Sequence, residues 1–242
     1  SWGAPPEVNL TGTYNSRPFE TEFFSSGFES DYGKFFLEWY ASALKEHGAR
    51  VLSVANSALQ GKVQISGKIA GVHWWYDSDS HAAEVTAGYY NTNSRDAYDE
   101  LAQIFAEHGA ALDFTSLEMR NDEALVQHEE CKADPEALVQ QMLRAAAARK
   151  VPLGGENGLE RYDQWAYDKI LSYKDRIGAF TYLRLTATLL EPGNLALFRG
   201  FVRDLRGGGG GGGGERLGAA GERLGGGEGE EERARRRSAL RR

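Results

Sequence analysis

Four short apolar runs, Val63–Trp75, Ala111–Arg120, Val151–Asn157 and Phe180–Leu185, recur along this chain with helix-length segments between them. This alternation constrains the fold strongly, because parallel neighbours need a long crossover and that crossover is right-handed. Each run brings polar side chains to its carboxyl end: Lys68 and His73, then Thr115 and Glu118, then Glu156 and Asn157, then Arg184. Parallel α/β enzymes carry their chemistry at that end of the sheet.

The spacing of Phe35, Phe36, Trp39, Tyr40 and Leu44 predicts a helix over Gly33–His47, with Gly48 as its stop. Val63–Trp75 reads as a strand in which Gly67 and Gly71 signal a bend or a close backbone approach. Ser94–His108, with Ser94 as N-cap and Gly109 as stop, reads as a helix, as do Pro135–Lys150, Asp163–Tyr173 and Asn194–Leu205. Leu112–Met119, Val151–Gly155 and Phe180–Leu185 read as strands. Residues 1–32, rich in Gly, Ser, Pro, Asn and aromatic side chains, predict a long irregular loop.

After Arg206 the composition changes. Gly207–Gly214 lead into repeats of Gly, Glu, Arg, Leu and Ala. Such a stretch buries too little apolar surface to offset its chain entropy, so residues 207–242 are expected to form a disordered tail. A phosphate loop is disfavoured there, since no strand precedes the glycines and no Gly-Lys-Ser/Thr follows them. Two units result: 1–206 as the folded part and 207–242 as the tail.

The chain is 41% hydrophobic and 11% aromatic, which suffices for a core. Its net charge of −7 argues against nucleic acid as the main partner. No apolar run is long enough to span a membrane. The lone Cys131 excludes an internal disulfide and reads as an inert thiol in a reducing compartment. The start, Ser1-Trp2-Gly3, resembles neither a signal nor a transit peptide and lacks a methionine, so the chain is read as beginning inside a longer protein. No metal site is expected, because His73 and His81 lack carboxylates or thiols at ligand spacing.

A carboxylate directly after a buried strand and two glycines, as in Gly154-Gly155-Glu156-Asn157, suits a general base that activates water. A capping loop is the plainer alternative, since Arg161 and Asp163 follow. Lys68 and Arg184 suit sugar hydroxyls or the countercharge of Glu156, and Trp74, Trp75 and Tyr76 offer flat faces for sugar rings. Each also has a bland reading as core packing or a structural ion pair. Convergence of four strand ends on one polar face favours the functional one.

At these residues the chain resembles the β-amylases, glycoside hydrolase family 14. The resemblance lies in Lys68–Tyr76, His81–Asn91, Phe114–Arg120, Gly155–Asp163 and Phe180–Leu185, in the family's order. It covers roughly residues 8–205. It implies a (β/α)8 TIM barrel, of which this chain supplies about the last four β/α units, and inverting hydrolysis of α-1,4-glucosidic bonds in starch-type glucan, releasing maltose from non-reducing ends. By resemblance Glu156 is the general base. Lys68, His73, Thr115, Asn157, Gly158 and Arg184 are substrate contacts, Thr115 on an inner loop. Gly158 stands where alanine is commoner in the family, and Ser116 where cysteine is. No cofactor is implied. The sequence does not fix the compartment; a reducing one, plastid or cytoplasm, is the expectation from Cys131.

The family's general acid, a glutamate on an earlier strand, has no counterpart motif in these residues, and the resemblance does not give Glu118 that role. Loss of an acid costs on the order of 10²–10⁴-fold in rate, so the chain alone is expected to be inactive. Two readings follow: part of an active β-amylase, or an inactive truncated relative that binds glucan or a protein partner. A third, polyanion binding by the Arg-containing tail, is discounted because Glu228 and Glu230–Glu232 share that tail.

Overall fold

A computed structural model describes residues 12, 16–122 and 130–207; nearly all of the expected tail lies outside them. Four strands, β1 (Ser66–Ile69), β2 (Ala111–Phe114), β3 (Leu153–Glu156) and β4 (Ala179–Thr181), form one sheet in the order β1-β2-β3-β4. Every pairing is parallel. The helices are α1 (Glu22–Ser25), α2 (Asp31–Leu59), α3 (Ala82–Thr86), α4 (Ala97–Glu107), α5 (Pro135–Arg149), α6 (Gln164–Leu171) and α7 (Pro192–Gly207). Strand and helix alternate as in part of a (β/α) barrel. No helix among the described residues is long and apolar enough to cross a membrane.

Side chains alternate across a strand, and the register gives that alternation a common phase. Lys68 lies beside Asp113, Asp113 beside Gly154, and Gly154 beside Ala179. One residue on, Ile69, Phe114, Gly155 and Phe180 form the next row. The second set faces the helices. Leu112, Phe114 and Leu153 are buried there against Phe105, Leu138, Met142, Tyr167 and Phe201. Each such side chain contributes about 1.5–3 kcal/mol when fully removed from water. The first set faces the barrel interior and is polar where it carries function.

The glycines set distances. A Cβ on Gly67 would stand 2.7 Å from the Phe105 ring, and one on Gly155 would stand 1.9 Å from Leu117 Cδ1. The expected close approach at Gly67 is therefore present, against a helix of the outer layer.

Several boundaries differ from the sequence expectation. Residues 18–32 are not an irregular loop: a short turn at Pro18–Glu20, α1 and another turn at Gly27–Glu29 lead directly into α2. The Thr21 and Ser30 hydroxyls accept from the amides of Phe24 and Gly33, while Phe23 and Phe28 are buried with Leu37 and Val85. Helix α2 passes straight through Gly48. Its second half is anchored by buried Leu52 and by Asn56, which donates to the carbonyl of His108 at 2.7 Å. These contacts outweigh the roughly 1 kcal/mol cost of an interior glycine. The helix ends instead at left-handed Gln60 and Gly61. Asp96, not Ser94, caps α4, accepting from the amides of Tyr98 and Asp99.

The strand expected over Val63–Trp75 shortens to four residues because the chain beyond Ile69 finds other partners. The amides of Trp75 and Asp77 donate to the carbonyls of Cys131 and Lys132, and Asp134 donates back to His73. In the same way β2 stops at Phe114, and Ser116 adopts a left-handed φ of 66°.

Gly155→Ala should lower stability by about 1–3 kcal/mol through overpacking against Leu117, read as a lower urea midpoint. Adding Leu117→Ala should make the glycine substitution cost less, a coupling that a double-mutant cycle measures.

Candidate active site

Glu156, the last residue of β3, is 5% exposed and projects from the inward-facing set. Its Oε1 accepts from Lys68 Nζ, carried by β1 two strands away. The lysine is about half exposed, whereas the carboxylate lies at the floor. Between them on β2 stands Asp113, in register with Lys68 and Gly154. Gly154 leaves room for it: a Cβ there would come within 3.1 Å of Asp113 Oδ1. Burial, then the negative charge of Glu156, push the Asp113 carboxyl above its ordinary range, while Lys68 and the Phe114 amide pull the other way. Asp113 was not singled out from the sequence. Alternation along the strand, with Leu112 and Phe114 on the buried outer face, would have found it facing inward.

The loops after the strands interlock. A Cβ at Gly71, after β1, would meet the Thr115 methyl at 3.2 Å, so the loops after β1 and β2 are in contact. Ser116 is buried in its left-handed conformation, which is uncommon for a residue with a side chain and clusters at functional loops. The Leu117 amide donates to the Glu156 carbonyl at 3.2 Å. Fully buried Glu118 accepts from the Gly158 amide at 2.9 Å and from the Leu159 amide at 2.6 Å.

Asn157 is 1% exposed. Its Nδ2 donates to the carbonyls of Leu159 and Leu183, and its Oδ1 accepts from the Leu183 amide at 2.7 Å. The side chain expected to bind sugar is thus occupied in holding the loop that presents exposed Arg184. What Asn157 and exposed Gly158 offer a ligand is backbone.

His73 and Arg184 sit on the loops after β1 and β4, and no hydrogen bond joins either to Glu156 among the described residues. The His73 ring lies edge-on to Trp74. Its Nδ1 is buried without a partner among the described residues, and burial pushes the imidazole below its ordinary range.

The stretch His81–Asn91 anchors the loop that carries His73. Glu84 is fully buried, pairs with His81 Nδ1 at 2.6 Å, and accepts from Tyr98 at 2.5 Å and Asn91 at 3.0 Å. Gln141 on α5 donates to Asn91 and Asp96 and accepts from Tyr76. The sequence expectation that His81 lacks a nearby carboxylate is corrected here: three residues on, α3 turns Glu84 back onto its ring. Among the described residues no cluster of three or more His, Cys, Asp or Glu is arranged to hold a metal.

Residues 1–211 match the pattern of glycosyl hydrolase family 14. The chain is 45% identical over 219 residues to beta-amylase 2, chloroplastic, of Arabidopsis thaliana, covering 85% of this chain and 39% of that protein. It is 42% identical over 216 residues to beta-amylase of Zea mays, covering 82% and 44%. Among solved structures, the catalytic domain of beta-amylase from Paenibacillus polymyxa superposes with a TM-score of 0.64 at 28% identity, over 81% of this chain and 49% of that one. The chain therefore spans about two fifths of the length of the curated relatives it matches.

Asp113 generates a prediction about stability. A carboxyl whose affinity for protons is raised on folding favours the folded state below its unfolded pKa of about 3.9. That contribution is lost as pH rises through the higher folded value. Asp113→Asn removes the penalty and should raise the thermal midpoint at pH 7, with a smaller gain near pH 3. Scans at the two pH values check the sign.

Proposed function

Because the chain belongs to glycosyl hydrolase family 14, we propose that it supplies the general-base half of a β-amylase active site. The substrate is a starch-type α-1,4-glucan, and the product is maltose cut from non-reducing ends. The observation that carries this reading is the buried Glu156 carboxylate at the carboxyl end of β3, bonded to Lys68 across the inner face.

Glu156 takes a proton from water as that water's oxygen bonds to the anomeric carbon. The glycosidic oxygen leaves with a proton from a carboxylic acid on the opposite face of the sugar, and the anomeric configuration inverts. That acid is supplied by a part of the barrel outside these residues. Lys68 supplies positive charge beside the base and reaches toward solvent, where a sugar hydroxyl meets it. His73, Thr115 and Arg184 complete the sugar contacts from the loops after β1, β2 and β4, and Asn157 and Gly158 contribute through their backbone. Trp74 offers a flat apolar face beside His73.

With the upstream half of the barrel supplied, Glu156→Gln should reduce maltose release on the order of 10²–10⁴-fold and leave malto-oligosaccharide binding largely intact. Near-parent turnover in that variant overturns the base assignment. Residues 1–242 alone should release no measurable maltose from soluble starch. Sustained release by the purified chain, assayed by reducing-sugar production, overturns the shared-site reading.

A further inference from the structure

We infer that Glu118 is a positioning residue, whose carboxylate fixes the loop bearing Glu156 and Asn157 by capturing the amides of Gly158 and Leu159. This inference rests on the reading of Glu156 given above as far as catalysis is concerned. The clamp itself stands on geometry.

A glutamate among these loops invites a second reading, that of a proton donor to a leaving group. Its surroundings argue against that. Glu118 is fully buried, and each of its oxygens receives one backbone amide, Oε2 from Gly158 and Oε1 from Leu159. Hydrogen bonds from two donors suit an acceptor-only carboxylate, not an acid presenting its proton to a cleft. The fork is selective for place as well as charge. Two consecutive amides converge on one carboxylate only if the chain turns immediately after Asn157.

The surrounding packing shows why that turn matters. The Leu117 amide donates to the Glu156 carbonyl, so the loop after β2 holds the base residue by backbone as well as by the Glu118 side chain. A Cβ at Gly158 would lie 3.1 Å from Ser116 Oγ and 3.7 Å from Glu118 Oε1, so the glycine lets the two loops close on each other. On the far side Asn157 grips Leu183 by both its amide and carbonyl. Residues 156–159 are thus held between two buried polar side chains, and Glu118 supplies the grip on the side of the strained Ser116 turn. Burial pushes the Glu118 carboxyl above its ordinary range, while the amides of Gly158 and Leu159, its own amide and the positive charge of Arg161 oppose that rise. Acidification therefore releases the clamp when the carboxylate takes up a proton and loses an acceptor site.

The first measurement needs no substitution. In the 242-residue chain, the amide proton shifts of Gly158 and Leu159 are followed by NMR against pH. Both should move together through one shared titration midpoint. Independent or absent titration overturns the clamp. The second measurement uses Glu118→Gln, which keeps one acceptor and places an NH2 group against the other amide. Hydrogen exchange at residues 158 and 159 should quicken at least tenfold, with β2 and α5 unchanged. Unchanged exchange at these amides, like quickening spread over β2 and α5, also overturns the clamp.

The third measurement is kinetic, in the complete barrel. Glu118→Gln should lower kcat at least tenfold while changing KM for a malto-oligosaccharide less than threefold. An unchanged kcat, or a loss confined to KM, overturns the positioning role. A complete barrel that is inactive before any substitution overturns the proposed function instead, and leaves the two amide measurements as the judgement on Glu118.

Discussion

Parallel pairing in register divides each strand into an outward and an inward set of side chains, and the two sets here face different solvents. The outward row, Ile69, Phe114, Gly155 and Phe180, meets the helices, while Lys68, Asp113 and Glu156 face the barrel interior. A slip of one residue in any strand exchanges the two sets. Such a slip would place a lysine or a carboxylate against Phe105, Tyr167 or Phe201, a cost of several kcal/mol for an unpaired buried charge. The apolar packing of the outer face thus enforces the registration of the ion pair on the inner one. Glu156 meets Lys68 across an intervening strand because Leu112, Phe114 and Leu153 permit no other alignment.

Beyond the strand ends the organising force changes. The ladders are only three or four residues long, so backbone pairing stops where the loops begin. Buried polar side chains take over. Glu118 joins the loop after β2 to that after β3, Asn157 joins the latter to the loop after β4, and Glu84 ties the region after β1 to α4. Each is satisfied several times over. That is the condition under which a buried polar group rigidifies a structure instead of weakening it. Removal of one member strands its partners, so such residues are sensitive even where they touch no ligand.

Much of this was legible in the sequence, and the failures share a cause. The order of strands and helices followed from apolar periodicity and from a stop such as Gly109. The place of Glu156 at the end of a buried strand was legible because its position after Gly154-Gly155 is a local pattern. What escaped was non-local. Gly48 looked like a terminator because its helix is held by Asn56 bonding to His108, 52 positions along the chain. The anchoring of the Asn157 side chain escaped because its partner, Leu183, is 26 positions away. Glu118 stood out in the sequence, but its task is set by amides 40 and 41 residues downstream. Types of residue are visible in a window of ten, whereas the groups that occupy their hydrogen bonds are not.

The unpaired edges of the sheet bear on the electrostatics around Glu156. Among the described residues β1 and β4 pair on one side only, and Phe35, Trp39, Val51 and Val54 of α2 are exposed. The Lys68 end of the ion pair is half exposed and screened, whereas the Glu156 carboxylate is buried. Two unit charges 4 Å apart attract by roughly 1 kcal/mol in water and about fourfold more at the effective dielectric of a protein site. Covering the inner face would raise the field at Glu156. The geometry of Glu156 is set within this chain by its own loops, but the dielectric around its carboxylate is set by whatever covers the inner face.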